Sequence, residues 1–272
     1  MSLRVNTNVE AFNAHRNLSH TSVALSKSME KLSSGLRINR AADDAAGLAI
    51  SEGMRAQIRG TAQASRNAQD GISLVQTAEG ELSEASNILT RMRELAIQSA
   101  NGTLSTTDRV TIGTEVTQLI SELDRIANSG EFNGISLLDG NATTTSIQVG
   151  INANETIDIT LVDTTAATLG VGAIDVTSAT GANAALTVID TAVDTVNTAR
   201  GNLGAVQNRL QSAVASIANA RENLSAAESR IRDVDVAMET ADLTRNSIMQ
   251  QAAVSVLAQA NVQPQIALKL LQ

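Results

Sequence analysis

Adjacent acidic residues are the first candidates for chemistry in this chain. Asp43 and Asp44 could share a proton in acid–base catalysis or bind a divalent cation. They also stand at the start of a long helical pattern, where carboxylates accept hydrogen bonds from the free N–H groups of the first turn. We therefore interpret the pair as helix caps and expect no catalytic or metal-binding role for it.

The remaining reactive side chains do not assemble into a site either. His15 and His20 are five residues apart and so do not share a helical face. The chain has no Cys, which excludes thiol catalysis, thiolate zinc sites and a disulfide scaffold. The sequence offers no catalytic set of a nucleophile, a general base and a residue that orients the base. The sequence predicts a protein that is not an enzyme and has no cofactor or metal.

Composition points to packed helices. Of 272 residues, 43% are hydrophobic but only 1% aromatic, so Ala, Leu, Ile and Val must form the buried contacts. The net charge of −8 argues against nucleic-acid binding, which needs a basic face. Polar residues interrupt the most apolar segment, 252–271, so we expect no membrane insertion. Residues 1–18 contain no apolar run, and we expect no cleaved secretory signal.

Heptad spacing predicts long helices that pair along narrow seams. The first helical pattern spans residues 43–99. The second is shorter and spans 106–128, after a capping-box pair, Ser105 and Asp108. A break at Asn101-Gly102 predicts that these two fold back as an antiparallel hairpin. The third pattern would form a helix ~70 Å long. Its two apolar columns are Ile189, Val196, Leu203, Leu210, Ile217, Leu224 and Ile231, and Ala192, Ala199, Val206, Ala213, Ala220, Ala227 and Val234.

A period of two replaces the helical period in the middle of the chain. Two alternating segments, 147–151 and 157–161, flank the turn residues Asn152–Glu155 and predict a β-hairpin. Residues 164–183 are rich in Thr, Ala and Gly and are expected to form a loop. The predicted fold is mostly α, with long antiparallel coiled-coil-like helices from both chain ends and a small central β-hairpin region.

Both ends carry apolar helical stripes without a partner in the central helices. We expect these stripes to pack against each other and against copies of the chain, and to become ordered on assembly. The self-assembly residues are Leu18, Leu25, Leu32, Leu36, Leu257, Ile266 and Leu270.

The charged cluster Arg91–Gln98 has two interpretations. Met92 and Ala96 would lie in the seam while the charged residues form a solvated face, which is what spacing alone favours. Alternatively, the arginines with an exposed Leu95 would form a protein-binding patch.

Short runs in both halves of the chain resemble bacterial flagellins. In the N-terminal half these are Val5-Asn-Thr-Asn8, Arg16-Asn-Leu18, Leu32-Ser-Ser-Gly-Leu-Arg-Ile38, Asp43-Asp-Ala-Ala-Gly-Leu48, Gln98-Ser-Ala-Asn101 and Glu131-Phe-Asn-Gly134. In the C-terminal half they are Leu203-Gly-Ala-Val-Gln-Asn-Arg-Leu210, Ser229-Arg-Ile231 and Val256-Leu-Ala-Gln-Ala-Asn261. The resemblance covers residues 1–140 and 185–272, and leaves 141–184 without a family motif.

This resemblance implies an extracellular structural subunit that polymerises into the flagellar filament for swimming. Residues 1–42 and 236–272 would form the inner-tube domain, ordered on assembly, and 43–235 the rod domain, with a β insert at about 131–184. Implied partners are identical subunits, the flagellar export apparatus, a secretion chaperone and the filament cap. The family's Toll-like receptor 5 patch maps onto Arg91, Leu95 and Glu115. A hook–filament junction protein, or a secreted coiled-coil adhesin or effector, is the alternative.

Overall fold

The computed structural model describes residues 7–141 and 143–269. Its helices are α1 (Val9–Ser34), α2 (Ala45–Ala100), α3 (Thr106–Ser129), α4 (Ala179–Arg232) and α5 (Val236–Lys269). Its strands are β1 (Glu131–Phe132), β2 (Ile135–Ser136), β3 (Thr144–Gln148) and β4 (Thr156–Thr160). The predicted class, long helices with a small β region, is confirmed.

The two acidic residues before α2 have different structural roles. Asp44 accepts a hydrogen bond from the N–H of Gly47 at 2.8 Å, which confirms the predicted cap. Asp43 instead accepts from the N–H groups of Asn39 and Arg40, at 3.3 and 3.2 Å, and so closes the turn that precedes the helix.

Helix α3 begins with the predicted capping box. Ser105 and Asp108 each accept a hydrogen bond from the backbone N–H of the other, at 3.3 and 3.1 Å. The helix boundary therefore depends on two local side chains, as the sequence predicted.

The chain forms two compact units. We call residues up to Ala56 together with those from Asn223 the terminal unit, and Gln57–Glu222 the central unit. One apolar cluster fills the central unit and combines residues of α2, α3, α4 and the β3–β4 hairpin. Its most buried large side chains include Leu82, Leu89, Met92, Leu123, Ile159, Ile189 and Leu210.

The heptad columns of α4 are buried over only part of their predicted length. Column residues from Ile189 to Leu203 are buried, as is Leu210. Beyond that point Ile217 and Leu224 are only half-buried, and Ala220 is exposed. Helix α4 ends at Arg232, so Val234 lies in the connection to α5 and not in the helical column that we predicted.

The central β-hairpin has the predicted alternation in its second strand, but β3 ends at Gln148, so Val149 and Ile151 lie beyond the strand in which we predicted them. β3 and β4 pair antiparallel with Ile147 opposite Ile157, and Ile157 and Ile159 are buried on one face. A second hairpin, β1–β2, was not predicted. Its strands have two residues each, and its turn at Asn133-Gly134 has positive φ at both positions.

The loop that we predicted at 164–183 extends too far toward the C-terminus. Helix α4 already begins at Ala179, after Ser178 accepts a hydrogen bond from the N–H of Gly181 at 3.0 Å. Ala182 and Ala185 are buried, so this Ala-rich stretch continues the narrow packing of the helix. Composition suggested a loop because Thr and Gly stand between the alanines.

In the terminal unit, α1 and α5 pack antiparallel. Near one end the side-chain amide of Asn8 donates to the carbonyl of Ala260 at 2.7 Å. Near the other end Lys31 pairs with Glu239 at 3.1 Å. An isolated antiparallel bridge between Leu36 and Asp233 adjoins that end. The predicted pairing of the two chain ends is confirmed.

The carboxyl group of Glu81 on α2 is unusual. Its Oε2 atom is buried and has no hydrogen-bond partner within the described residues, and the lost hydration raises its pKa above the ordinary value of 4.5. The carboxylate lies against Gly130 at the end of α3, where a β-carbon would overlap it.

Replacing Glu81 with Gln should therefore stabilise the protein at pH 7. A pKa raised by folding means that the native state binds more protons, so stability falls as pH rises through the window that begins near 4.5. We expect Glu81→Gln to raise the thermal midpoint at pH 7 and to flatten this dependence. Glu84→Gln, on the exposed face of the same helix, is the control. A lower midpoint for Glu81→Gln at pH 7 would contradict the argument.

Candidate assembly and recognition surfaces

Large apolar side chains are concentrated on the outside of the terminal unit. Phe12 is 70% exposed on α1, and Ile248 is 61% exposed on α5. We define the apolar surface as these two residues together with Val9, Val23, Met29, Val236, Met238, Met249, Val254, Val256 and Val262. Contiguous patches of exposed apolar side chains mark protein contacts, so these residues are the candidates for such a contact.

Small side chains line the seam between the two terminal helices. Ala14 and Ser28 are the buried residues of α1, and Ala260 is buried on α5. Small side chains allow the helices to approach closely, and the larger apolar residues remain on the outside. Apolar residues are spread around the whole circumference of α5, with almost no apolar stripe. A helix of this kind is stable when other helices surround it.

The predicted self-assembly residues lie beside this seam. Leu18, Leu25, Leu32 and Leu36 are half-buried, and so is Leu257. Ile266 is within α5, and Leu270 lies outside the described residues. Phe12, Val23 and Val256 are exposed as well but were not predicted, because a single stripe was assigned to each helix. The all-round distribution along α5 was the signal that could have identified the wider surface.

Ion pairs hold the terminal unit together. Lys27 pairs with Asp43 at 2.7 Å, and this contact together with backbone N–H groups lowers the pKa of Asp43 to about 2. Burial opposes ionisation of Glu239, but hydrogen bonds from Ser28 and Lys31 outweigh it and lower its pKa. The carboxylates therefore remain charged at neutral pH.

Net charge differs sharply between the units. The terminal unit has 11 Lys and Arg against 10 Asp and Glu, whereas the central unit has 9 against 18. The apolar surface thus belongs to a unit that is nearly neutral. Copies that pack through it would not bring like net charge together.

The structure brings two of the three predicted recognition residues into contact. The Arg91 guanidinium on α2 pairs with Glu115 on α3 at 2.8 Å, and with Glu94 at 3.0 Å. These partners raise the pKa of Arg91, beginning with the hydrogen bond to Glu115. The side chains of Arg91 and Glu115 are 51% and 47% exposed, so the pair is available to a partner.

Leu95 is not exposed, so the alternative in which it forms a protein-binding patch with the arginines is wrong for this residue. It is 2% exposed and belongs to the central apolar cluster. From the spacing we expected a single buried face on α2, through Met92 and Ala96. Arg91 contacts α3 and Arg93 contacts Asp190 on α4 at 2.6 Å, so α2 lies between two helices and buries a wider face.

Within the described ranges, no three His, Cys, Asp or Glu side chains are grouped so as to hold a metal ion. No helix in that part of the chain is both long and apolar enough to cross a membrane.

Two family models match this chain, described as "Bacterial flagellin N-terminal helical region" over residues 5–143 and "Bacterial flagellin C-terminal helical region" over residues 186–271. Over 270 residues the chain is 53% identical to a flagellin of Halalkalibacterium halodurans, covering 98% of this chain and 99% of that protein. It is 46% identical to the flagellar filament 33 kDa core protein of Treponema phagedenis, with coverage of 98% and 99%.

A solved structure agrees with these relatives. The crystal structure of Bacillus cereus flagellin is 36% identical and has a TM-score of 0.51, covering 56% of this chain and 88% of that one. The similarity thus extends from the sequence to the arrangement of the helices.

The burial of Leu95 leads to a prediction that separates packing from recognition. Leu95→Ala should lower the free energy of unfolding by ~2–5 kcal/mol, because it removes a buried aliphatic side chain. Arg91→Ala should lower it much less, because the lost ion pair is solvent-exposed. Urea unfolding followed by circular dichroism measures both values. Equal effects of the two substitutions would show that Leu95 is not packed as described.

Proposed function

The chain belongs to the bacterial flagellin family and is a structural subunit of a flagellar filament; from this premise we propose how it assembles. Copies pack through the apolar surface of α1 and α5, which the isolated subunit leaves exposed. The observation that carries the proposal is α5, a 34-residue helix with apolar residues on all sides.

Hydrophobic burial supplies the driving force in this proposal. Full burial of a Val, Ile, Phe or Met side chain contributes ~1.5–3 kcal/mol. The apolar surface contains eleven such side chains, each at least 43% exposed in the single subunit. Even partial burial of this set would offset the loss of translational and rotational freedom on association.

We assign different positions in the filament to the two ends and the middle of the chain. Residues 1–42 and 236–272 would form the inner-tube domain, and 43–235 the surrounding rod domain with its β insert. The charge distribution supports this assignment. A nearly neutral, apolar terminal unit suits contacts between subunits, whereas the acidic central unit suits the solvated exterior.

The same proposal includes the route by which the subunit leaves the cell. Subunits would pass through the flagellar export apparatus without a cleaved signal, escorted by a secretion chaperone, and fold beneath a filament cap. A chain without Cys is compatible with such a route because it cannot form wrong disulfides on the way. The proposed location is the extracellular flagellar filament.

Charged substitutions in the apolar surface should prevent polymerisation. Phe12→Asp combined with Ile248→Asp would require carboxylates to be buried between subunits, which is strongly unfavourable. We expect no filaments by electron microscopy at concentrations at which the wild type polymerises.

Both positions are exposed in the subunit, so helicity by circular dichroism should be unchanged. Val110→Asp is the matched control, since Val110 is 51% exposed on α3 of the central unit. If the double variant polymerises as well as this control, the proposed contact surface is wrong.

A second proposal concerns recognition by Toll-like receptor 5. Arg91 and Glu115 would contact the receptor directly, because their pair is exposed and fixed between two helices. Leu95 would act by packing beneath them, since it is buried.

Receptor activation should therefore depend on Arg91 and not on another exposed arginine of the central unit. Arg91→Ala is expected to reduce signalling in a receptor reporter assay at least tenfold, because it removes a central charged contact. Arg125→Ala, which removes the exposed pair with Glu122 on α3, should leave signalling unchanged. Retained activity in Arg91→Ala would remove this proposal.

A further inference from the structure

The methionines of the described residues fall into two environments. Met29, Met238 and Met249 are 58%, 69% and 43% exposed, and all three belong to the terminal unit. Met92 is fully buried in the central apolar cluster, and Met54 is half-buried. The exposed methionines are therefore concentrated on the apolar surface.

Two of these methionines flank a defined contact between α1 and α5. Glu239 accepts hydrogen bonds from Ser28 and Lys31. Met29 follows Ser28 on α1, and Met238 precedes Glu239 on α5. Both thioethers thus lie at the end of the helix pair that this contact fixes. Met249 stands about three helical turns farther along α5.

We propose that Met29, Met238 and Met249 are oxidation sites that couple subunit assembly to peroxide. In the free subunit the thioethers are accessible to hydrogen peroxide, and their oxidation prevents polymerisation. In the filament the same side chains are covered by neighbouring subunits and protected. This inference rests on the proposed function, because it needs the apolar surface to be the subunit contact.

The chemical step is a two-electron oxidation of sulfur. A lone pair on the Met Sδ attacks one peroxide oxygen, the O–O bond breaks and an S–O bond forms. The proton on the newly bound oxygen passes to the leaving hydroxide and forms water, so the thioether becomes a sulfoxide and the peroxide is reduced. The sulfoxide oxygen is a strong hydrogen-bond acceptor on a side chain that was apolar. Burying it between subunits without a donor opposes association.

Peroxide treatment of the full-length subunit tests this inference. Monomer is treated with hydrogen peroxide, residual peroxide is removed with catalase, and peptide mass spectrometry locates the added oxygen. We expect oxidation at Met29, Met238 and Met249 well before Met92. The concentration needed for seeded polymerisation, followed by light scattering, should rise at least tenfold. Helicity should be unchanged.

Matched variants connect this loss to the three sites. The combined variant Met29→Leu, Met238→Leu and Met249→Leu keeps apolar side chains of similar size and should polymerise normally before and after peroxide. Met92→Leu should polymerise before treatment and remain peroxide-sensitive. Met238→Gln, which introduces a polar side chain without oxidant, should raise the required concentration. Wild-type filaments treated in the same way should show little oxidation at the three sites.

Opposite results overturn the inference in recognisable ways. It is wrong if oxidised wild-type monomer polymerises like untreated monomer, or if the triple Leu variant loses polymerisation after peroxide. It is also wrong if filament and monomer are oxidised equally at the three sites. If untreated wild type does not polymerise, the proposed function itself has failed, which is a different outcome.

Discussion

The close approach of α1 and α5 is the constraint on which the properties of the terminal unit depend. Ala14, Ser28 and Ala260 bring the two helices together, and side chains of this size cannot cover the large residues beside them. The subunit consequently leaves Phe12 and Ile248 in water. In our proposal, this incomplete burial is the source of the free energy of assembly.

The central unit solves a different physical problem. Its apolar cluster contains Leu, Ile, Val, Ala and Met from three helices and a hairpin, and it buries them within one chain. With two Phe in the whole sequence, narrow helix seams replace a thick aromatic core. The unit carries the excess of acidic residues, which suits a surface that remains in solvent.

The sequence predicted much of the fold because several signals were local. The capping box of Ser105 and Asp108 and the alternation in β4 depend on neighbouring residues, and the structure has both. Errors arose where the environment was not local. The alternative patch interpretation placed Leu95 in solvent because a single seam was assumed, but α3 and α4 both pack against α2. The start of α4 was missed because its alanines are buried by contacts that composition does not record.

The sequence by itself determined the class of fold, the absence of Cys, and the family, whose motifs stand in order along both halves of the chain. Only the tertiary structure decided which side chains are covered. Burial depends on how many neighbours a helix has, and one periodic stripe cannot distinguish one neighbour from two. The same limit applies to the apolar surface. The spacing of Leu18 and Leu257 placed them in stripes, whereas Phe12 and Val256 became candidates for contacts only once the small-residue seam showed which faces remain open.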